Sequence, residues 1–298
     1  MTPAVAQVME SNATISNESE PVLDYRDAVI YGLVEGLTEY LPVSSTGHLV
    51  LMKELLGVQG SDKAMEALNA YLIVIQFGAI LAVALLYWRE VWSILLGLLG
   101  LDPRGRSLAR NLILAFLPAA VLGPLLADDI DKWLMDEPEP VAAALFVGAL
   151  VMFASERMRK NRELSEAAGP SPDLGQMRPG SALFIGFLQC IAMWPGTSRS
   201  MMTIVGGYLV GLRPAKAAEF SFLLGLVTLS AASGYKVLTK GEEMATHLTL
   251  GPVVVGCLVA GLFAALSVHW LVGFLTRRGL GLFAWYRLIL ATLVLAFV

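Results

Sequence analysis

The chain has 298 residues, of which 56% are hydrophobic and only 15% are charged, and its mean hydropathy is +0.66. Soluble domains carry about 25% charged residues, so an ordinary soluble enzyme and a disordered protein are both excluded. A polytopic membrane protein is predicted instead. The formal net charge of −4 argues against nucleic acid as a partner. Two cysteines in apolar stretches and only three histidines argue against a disulfide framework and a histidine-rich zinc site.

The first 23 residues differ from the rest, because they are polar and acidic and have neither a basic start nor an apolar core. That pattern is not typical of a cleavable signal peptide. We therefore expect residues 1–23 to form a disordered tail.

Six later segments are long and apolar enough to cross a bilayer, which takes roughly 20 residues in a helix. Together they predict an all-α integral membrane protein with about six full transmembrane helices. The predicted spans are 68–88, 108–128, 140–156, 217–237, 249–274 and 280–298.

Two further apolar segments, 27–57 and 181–212, are interrupted by proline, glycine and hydroxyl residues. The interruptions run from Pro42 to Gly47 and from Pro195 to Ser200, and each half is too short to span a membrane. Proline ends a helix, and the hydroxyl residues after it favour a new helix start. Short interrupted segments predict two re-entrant helix hairpins, with a kinked continuous helix as the alternative.

The two interrupted segments also resemble each other in sequence. Residues 28–35 align with residues 182–189 at an offset of 154, and after one deletion the first break aligns with the second. Three spans follow each hairpin, so the second half begins on the opposite side of the membrane, as in an inverted-topology repeat. The predicted organisation is a first repeat over 24–158, a basic cytoplasmic loop over 159–180 and a second repeat over 181–298.

The distribution of lysine and arginine predicts the orientation. One set of loops contains 13 of the 21 basic residues and the other set contains six. The richer side is expected to be cytoplasmic. The first hairpin then enters from outside and the second from the cytoplasm.

Ionisable residues at membrane depth are costly and are candidates for function. The first hairpin carries Glu35, Glu39 and His48, and the second carries Arg199. Glu35 and Glu39 are four residues apart and share a helix face, where a shared proton, an arginine or a divalent cation would relieve their repulsion. The alternative is a pair of outward-facing carboxylates at the hairpin entrance.

Hydroxyl residues mark the start of the second half-helix in each hairpin. A helix start offers free N–H groups and a positive dipole end to an anion. These residues are Ser44, Ser45 and Thr46 in the first hairpin and Thr197, Ser198, Ser200 and Thr203 in the second. Ser45 and His48 are one helical turn apart, the arrangement of a nucleophile and its base, although the serines could equally be helix caps.

Arg199 is best explained by an anionic partner, which is either a phosphate group or one of the two glutamates. Together these groups predict a site that binds a phosphate or diphosphate and acts on it chemically. For Arg287, His269 and Glu219, contacts at helix ends or between helices are the simpler interpretation.

At these residues the sequence resembles the undecaprenyl-diphosphate phosphatases, also called bacitracin-resistance proteins. Residues 35–48 read E-G-L-T-E-Y-L-P-V-S-S-T-G-H, which fits the family segment E-G-L-T-E-[FY]-L-P-[VI]-S-S-T-G-H. Residues 195–203 fit the second signature, P-G-x-S-R-S-x-x-T. The likeness covers about residues 27–298. Met201 with Met202, and Val227 with Thr228, depart from the common pattern and affect specificity more than activity.

The resemblance implies dephosphorylation of undecaprenyl diphosphate, a polyprenyl diphosphate lipid, to undecaprenyl phosphate and inorganic phosphate. This would recycle the lipid carrier of cell-wall polymers at the outer face of the bacterial inner membrane. It also implies a divalent cation, Mg²⁺ or Ca²⁺, held by Glu35 and Glu39, and leaves a homodimer open. The implied phosphate-binding residues are Glu35, Gln76, Ser44, Thr46, Thr197, Ser198, Ser200 and Thr203.

The roles of the implied catalytic residues, Ser45, His48, Arg199 and Glu39, remain open at this point. Either Ser45 attacks phosphorus with His48 as base, or His48 attacks while Ser45 positions the phosphate, or water attacks directly. A lipid-phosphate flippase that uses the same broken-helix site is the alternative function, because inverted repeats with broken helices are common in transporters.

Overall fold

The computed structural model describes residues 24–56, 62–134, 138–164 and 172–297. Within these residues the chain forms eleven α-helices, a single 3₁₀ turn at Leu174–Gln176 and no strand. The predicted tail lies outside the described residues. The helices are α1 Tyr25–Thr38, α2 Ser45–Leu55, α3 Asp62–Leu86, α4 Trp88–Leu98, α5 Pro103–Leu134, α6 Pro138–Leu164, α7 Pro179–Ile191, α8 Arg199–Leu209, α9 Pro214–His247, α10 Leu250–Arg278 and α11 Gly281–Phe297.

Five of these helices contain a segment long and apolar enough to cross a membrane, which confirms the polytopic all-α fold. These segments are Leu68–Leu86, Pro103–Leu126, Glu139–Leu164, Pro214–Thr239 and Leu250–Arg278. The sixth predicted span corresponds to α11, which has only 17 residues and is about 25 Å long at 1.5 Å per residue. The described part of α11 is therefore shorter than the five long spans, and a sixth full span stays a prediction.

Both predicted helix breaks are present. α1 ends at Thr38 and α2 begins at Ser45, while α7 ends at Ile191 and α8 begins at Arg199. The residue before each new helix has a positive φ, 73° at Ser44 and 74° at Ser198, a conformation that side-chain-bearing residues rarely adopt. A kinked continuous helix is therefore wrong for both segments. Re-entry of the hairpins into the membrane stays a prediction.

The two breaks also give the register of the internal repeat. Ser44 accepts a hydrogen bond from Gly47 N, and Ser198 accepts one from Met201 N, each at 3.3 Å. These two N-caps are 154 residues apart, so the offset of the preceding helices continues through the breaks and the predicted one-residue deletion is wrong. In this register Ser45 corresponds to Arg199, which makes the two helix starts chemically different.

Close packing between the halves brings the breaks together. α1 packs against α10, and a Cβ atom added to Gly32 would lie 2.7 Å from the Gly256 carbonyl oxygen. α7 packs against α5 in the same manner, with Gly186 against the backbone of Ala115. The first helix of each half thus packs on a long helix of the other half. This reciprocal packing is compatible with the predicted repeats, whose boundaries stay predictions.

Two parts of the chain differ from the predicted organisation. The short helix α4 was not predicted; it packs on α5, and Ser93 donates a hydrogen bond to Asp102 in the connecting turn. The hydrogen bonds that Asp102 accepts from Ser93 and from backbone amides lower its pKa. In addition, α6 continues to Leu164, so the first six residues of the predicted loop at 159–180 are helical.

Candidate active site

The two breaks are joined by a salt bridge between Glu39 and Arg199. Glu39 caps the C-terminal end of α1 and Arg199 is the first residue of α8. The Arg199 Nη2 atom donates to Glu39 Oε1 at 2.9 Å, and both side chains are largely buried. Arg199 also lies over the ring of Tyr40, 5.2 Å from its centroid. The anionic partner predicted for Arg199 is thus, in this structure, Glu39.

The second oxygen of the Glu39 carboxylate binds Ser45. The Ser45 hydroxyl donates to Glu39 Oε2 at 2.7 Å, so one carboxylate connects a candidate nucleophile with a candidate phosphate-binding cation. Because the hydrogen bond runs from the hydroxyl to the carboxylate, Glu39 is placed where a general base for Ser45 must lie.

The His48 imidazole, predicted to act as the base for Ser45, has other hydrogen-bond partners in this structure. Its Nδ1 atom lies 2.7 Å from the Ser44 carbonyl oxygen, and its Nε2 atom lies 2.6 Å from the Tyr286 hydroxyl. Since a carbonyl oxygen can only accept, Nδ1 carries a proton. A helical side chain leans towards the preceding turn, and in this direction the His48 imidazole reaches the Ser44 carbonyl four residues before it.

The hydroxyls of the second hairpin hold the two breaks together. Ser200 donates to the Leu41 carbonyl at 2.7 Å and lies 3.1 Å from the Ser198 hydroxyl. Thr203 is buried in α8 and its hydroxyl lies 2.7 Å from that of Ser221 on α9. These predicted phosphate-binding residues are therefore engaged in contacts between helices.

The other predicted residues lie close to the two helix starts. Ser44 and Ser198 are the N-caps described above. Thr197 is buried immediately before α8, and Thr46 is half-buried in the first turn of α2.

Glu35 lies one turn before Glu39 on α1 and is fully buried. The alternative of outward-facing carboxylates at the hairpin entrance is therefore wrong. Neither carboxylate oxygen of Glu35 has a hydrogen-bond partner among the described residues, although Gln76 lies close enough to act on its charge. Ser233 donates to Gln76 Oε1 at 3.4 Å. A buried, unpartnered carboxylate is costly, so Glu35 requires a proton or a cation.

The residues described by the structure contain no group of three or more His, Cys, Asp or Glu side chains that could hold a metal ion. At the two breaks, the described residues offer the carboxylates of Glu35 and Glu39. The unpartnered oxygens of Glu35 nevertheless fit a hard cation such as Mg²⁺ or Ca²⁺, which prefers oxygen ligands and readily takes the remainder from phosphate and water.

Several residues around the site were not predicted to belong to it. Tyr286 binds His48, as described above. Gly225 on α9 lies against the Arg199 guanidinium, which would clash with any added Cβ atom. Ser221 accepts a hydrogen bond from Arg199 Nη1 through its backbone carbonyl at 3.1 Å. No short motif marks Gly225, because its role depends on packing between α8 and α9.

Arg287 also belongs to this region. The sequence predicted a contact at a helix end or between helices, and the structure confirms a contact between helices. Arg287 is fully buried in α11 and donates to the carbonyl oxygen of Gly196, in the second break, at 2.9 Å. A charge within an apolar segment was the signal in the sequence.

The chain is similar in sequence to one protein family over most of its length. A model of the family "Bacitracin resistance protein BacA" matches residues 28–293. A protein of Sorangium cellulosum named undecaprenyl-diphosphatase is 44% identical over 270 residues, which cover 90% of this chain and 85% of that protein. A protein of the same name from Sphingopyxis alaskensis is 40% identical, and the match covers 89% of this chain and 95% of that protein. Another from Clostridium tetani is 36% identical, and the match covers 90% of this chain and 94% of that protein.

Proposed function

The chain belongs to the bacitracin resistance protein BacA family, and from this premise we propose that it hydrolyses undecaprenyl diphosphate to undecaprenyl phosphate and inorganic phosphate. The name shared by its relatives supports this activity. The observation that carries the proposal is the Glu39 carboxylate, which binds Ser45 with one oxygen and Arg199 with the other. Glu39 as the base, Ser45 as the nucleophile and the Arg199 guanidinium as the phosphate-binding group thereby lie in contact.

In the proposed first step, Ser45 Oγ attacks the terminal phosphorus and transfers its proton to Glu39. A bond forms between Oγ and phosphorus, the bond from phosphorus to the bridging oxygen breaks, and undecaprenyl phosphate leaves. Water then attacks the phosphorus of the phosphoserine, the bond from phosphorus to Oγ breaks, and Glu39 returns its proton to Oγ. The protons of the water leave with inorganic phosphate, so that the serine hydroxyl and the Glu39 carboxylate are both restored. The 2.7 Å contact supports Glu39, and not His48, as the base.

His48 as nucleophile is the less favourable alternative. Its Nδ1 atom is bound to the Ser44 carbonyl and its Nε2 atom to the Tyr286 hydroxyl, so the ring would have to give up a hydrogen bond before attack. We assign His48 the role of orienting the first turn of α2. Direct attack by water is the third alternative, and it would leave neither Ser45 nor His48 phosphorylated during turnover.

Arg199 stabilises the charge of the transferring phosphoryl group in this proposal. Its Nη1 and Nη2 atoms are occupied by Ser221 and Glu39, but its Nε atom is buried without a hydrogen-bond partner among the described residues. This donor, together with the free N–H groups at the starts of α2 and α8, would bind phosphate oxygens.

Glu35 and Glu39 would hold a divalent cation, Mg²⁺ or Ca²⁺. The cation would supply positive charge to the diphosphate when it is bound. The unpartnered carboxylate of Glu35 supports this assignment.

We place the protein in the bacterial inner membrane with its site open to the outer face. The excess of basic residues in one set of loops supports this orientation. The homodimer is a prediction from the resemblance alone. The lipid-flippase alternative has no support from the relatives, which are named as phosphatases.

The test is phosphate release from farnesyl and undecaprenyl diphosphate by the full chain in detergent. Wild type with Mg²⁺ or Ca²⁺ should release phosphate, while EDTA or Glu35→Gln should reduce release strongly. Absence of release by well-folded wild type would reject the proposed activity. Full release in EDTA would reject the cation but not the phosphatase.

A further inference from the structure

Arg287 is a buried cation that has no acidic partner among the described residues. It lies in the apolar helix α11 with no exposed surface. Its hydrogen bonds go to three backbone carbonyls, those of Leu145 at 3.3 Å, Ala144 at 3.1 Å and Gly196 at 2.9 Å. The remaining Nη1 atom is buried without a hydrogen-bond partner.

The other well-buried arginines contrast with Arg287. Arg199 forms a salt bridge with Glu39, and Arg159 forms salt bridges with Glu156 and Glu163. An arginine side chain stays protonated in proteins, and an unpaired buried charge is strongly destabilising. Carbonyl dipoles offset part of this cost but leave the positive charge itself unbalanced.

The position of Arg287 places this charge between the two helix breaks. Through Gly196 it contacts the loop that leads into α8. The preceding residue, Tyr286, binds His48 in the first turn of α2. The guanidinium lies against Gly148 of α6, where an added Cβ atom would clash with it, so this glycine provides the space that the guanidinium occupies.

We propose that Arg287 is a second phosphate-binding residue of the site, whose Nη1 atom donates to a phosphate oxygen of the bound anion. The proposal rests on the proposed function, since a diphosphate would supply the negative charge that Arg287 lacks among the described residues, whereas Arg199 already pairs with Glu39. The oxygens of a lipid-borne phosphate and those of free inorganic phosphate have the same chemistry. Arg287 would therefore bind the substrate and also the phosphate product.

The test measures anion binding separately from catalysis. Thermal unfolding of the full chain in detergent is followed with increasing inorganic phosphate and, separately, farnesyl phosphate, because a ligand that binds the native state raises its Tm. The variants are Arg287→Gln, which removes the charge, Arg287→Lys, which keeps it, and Gly148→Ala, which displaces the guanidinium. Gly123→Ala is the matched control, since a Cβ atom there meets open space.

We expect Arg287→Gln and Gly148→Ala to weaken binding of both phosphates by about tenfold or more, the usual effect of losing a charged hydrogen bond. Arg287→Lys should lose less, and Gly123→Ala should bind as wild type does. Loss of farnesyl phosphate binding alone would identify the lipid headgroup as the ligand, and loss of both would identify a phosphate site shared by substrate and product.

Wild-type affinity for both phosphates in folded Arg287→Gln would overturn the proposal and leave Arg287 an anchor of the second break. If Arg287→Gln does not fold, the comparison of Gly148→Ala with Gly123→Ala decides in the same way. Failure of the proposed function is distinguishable, because a wild type that binds these phosphates but releases none from lipid diphosphate rejects the activity alone.

Discussion

At the scale of single residues, the Glu39 carboxylate is the centre of the site. Its two oxygens accept from Ser45 at 2.7 Å and from Arg199 at 2.9 Å. The residue types at the site and their grouping at two helix starts could be predicted from the sequence. A glutamate as the partner of Arg199 was one of the two predicted alternatives, and the salt bridge selects Glu39. The contact between Ser45 and Glu39 could not be predicted, because local spacing pointed from Ser45 to His48.

Replacement of Glu39 by glutamine tests this centre. Glu39→Gln keeps the side-chain shape but removes the base and the charge that balances Arg199. Phosphate release should fall by about 10²–10⁴-fold, the usual contribution of a general base. Glu163→Gln, which affects a half-exposed carboxylate in an ion pair with Arg159, is the control and should retain wild-type kcat. Near-normal kcat in Glu39→Gln would contradict the assignment.

Replacement of Tyr286 by phenylalanine separates the roles of Ser45 and His48. Tyr286→Phe removes the hydroxyl that binds His48 Nε2 but leaves the contact between Ser45 and Glu39 in place. Because a neutral hydrogen bond contributes about 1 kcal/mol, kcat should fall less than about tenfold. Ser45→Ala should lose nearly all activity. A loss in Tyr286→Phe as large as in Ser45→Ala would indicate that His48 takes part in the chemistry.

At the scale of helices, glycines set the positions of the charged groups. The breaks were predictable, because proline, glycine and hydroxyl residues in an apolar stretch mark a helix end and a new start. The contact between Gly225 and the Arg199 guanidinium was not predictable, since Gly225 lies in the apolar helix α9 without any sequence signal of its own. The helix α4 was not predicted, because its eleven residues are too few for a membrane span.

Gly225→Ala should displace the Arg199 guanidinium, because the added methyl group would overlap it. A misplaced catalytic group costs on the order of 100-fold in rate, so phosphate release should approach that of Arg199→Ala. Gly234→Ala on the same helix meets open space. It should keep full activity and, by helix propensity, gain up to about 1 kcal/mol in stability. Equal activity of the two variants would show that Arg199 does not depend on α9.

At the scale of the whole molecule, the breaks of two interrupted helices meet, one from each of the two predicted repeats. The long spans and the offset of 154 residues were evident from composition and sequence similarity. The register through the breaks required the caps at Ser44 and Ser198, whose positive φ values no residue type indicates from sequence.

Cysteine labelling tests the re-entrant geometry. In a chain without Cys190 and Cys257, single cysteines at the exposed positions Asp24 and Leu55 should both react with a membrane-impermeant thiol reagent from outside, because the hairpin returns to the face that it enters. Asp24 labelled from outside and Leu55 only from the cytoplasm would mean that the first broken segment crosses the membrane.

The identity of the residue that is phosphorylated during turnover is the most direct test of Ser45 as the nucleophile. Wild type is quenched while it hydrolyses farnesyl diphosphate labelled at the terminal phosphate, and its peptides are mapped under acidic and alkaline conditions. If Ser45 is the nucleophile, an acid-stable phosphate appears on the peptide that contains Ser45, and no such adduct forms in Ser45→Ala. An acid-labile adduct on His48, or full turnover by Ser45→Ala, would contradict it.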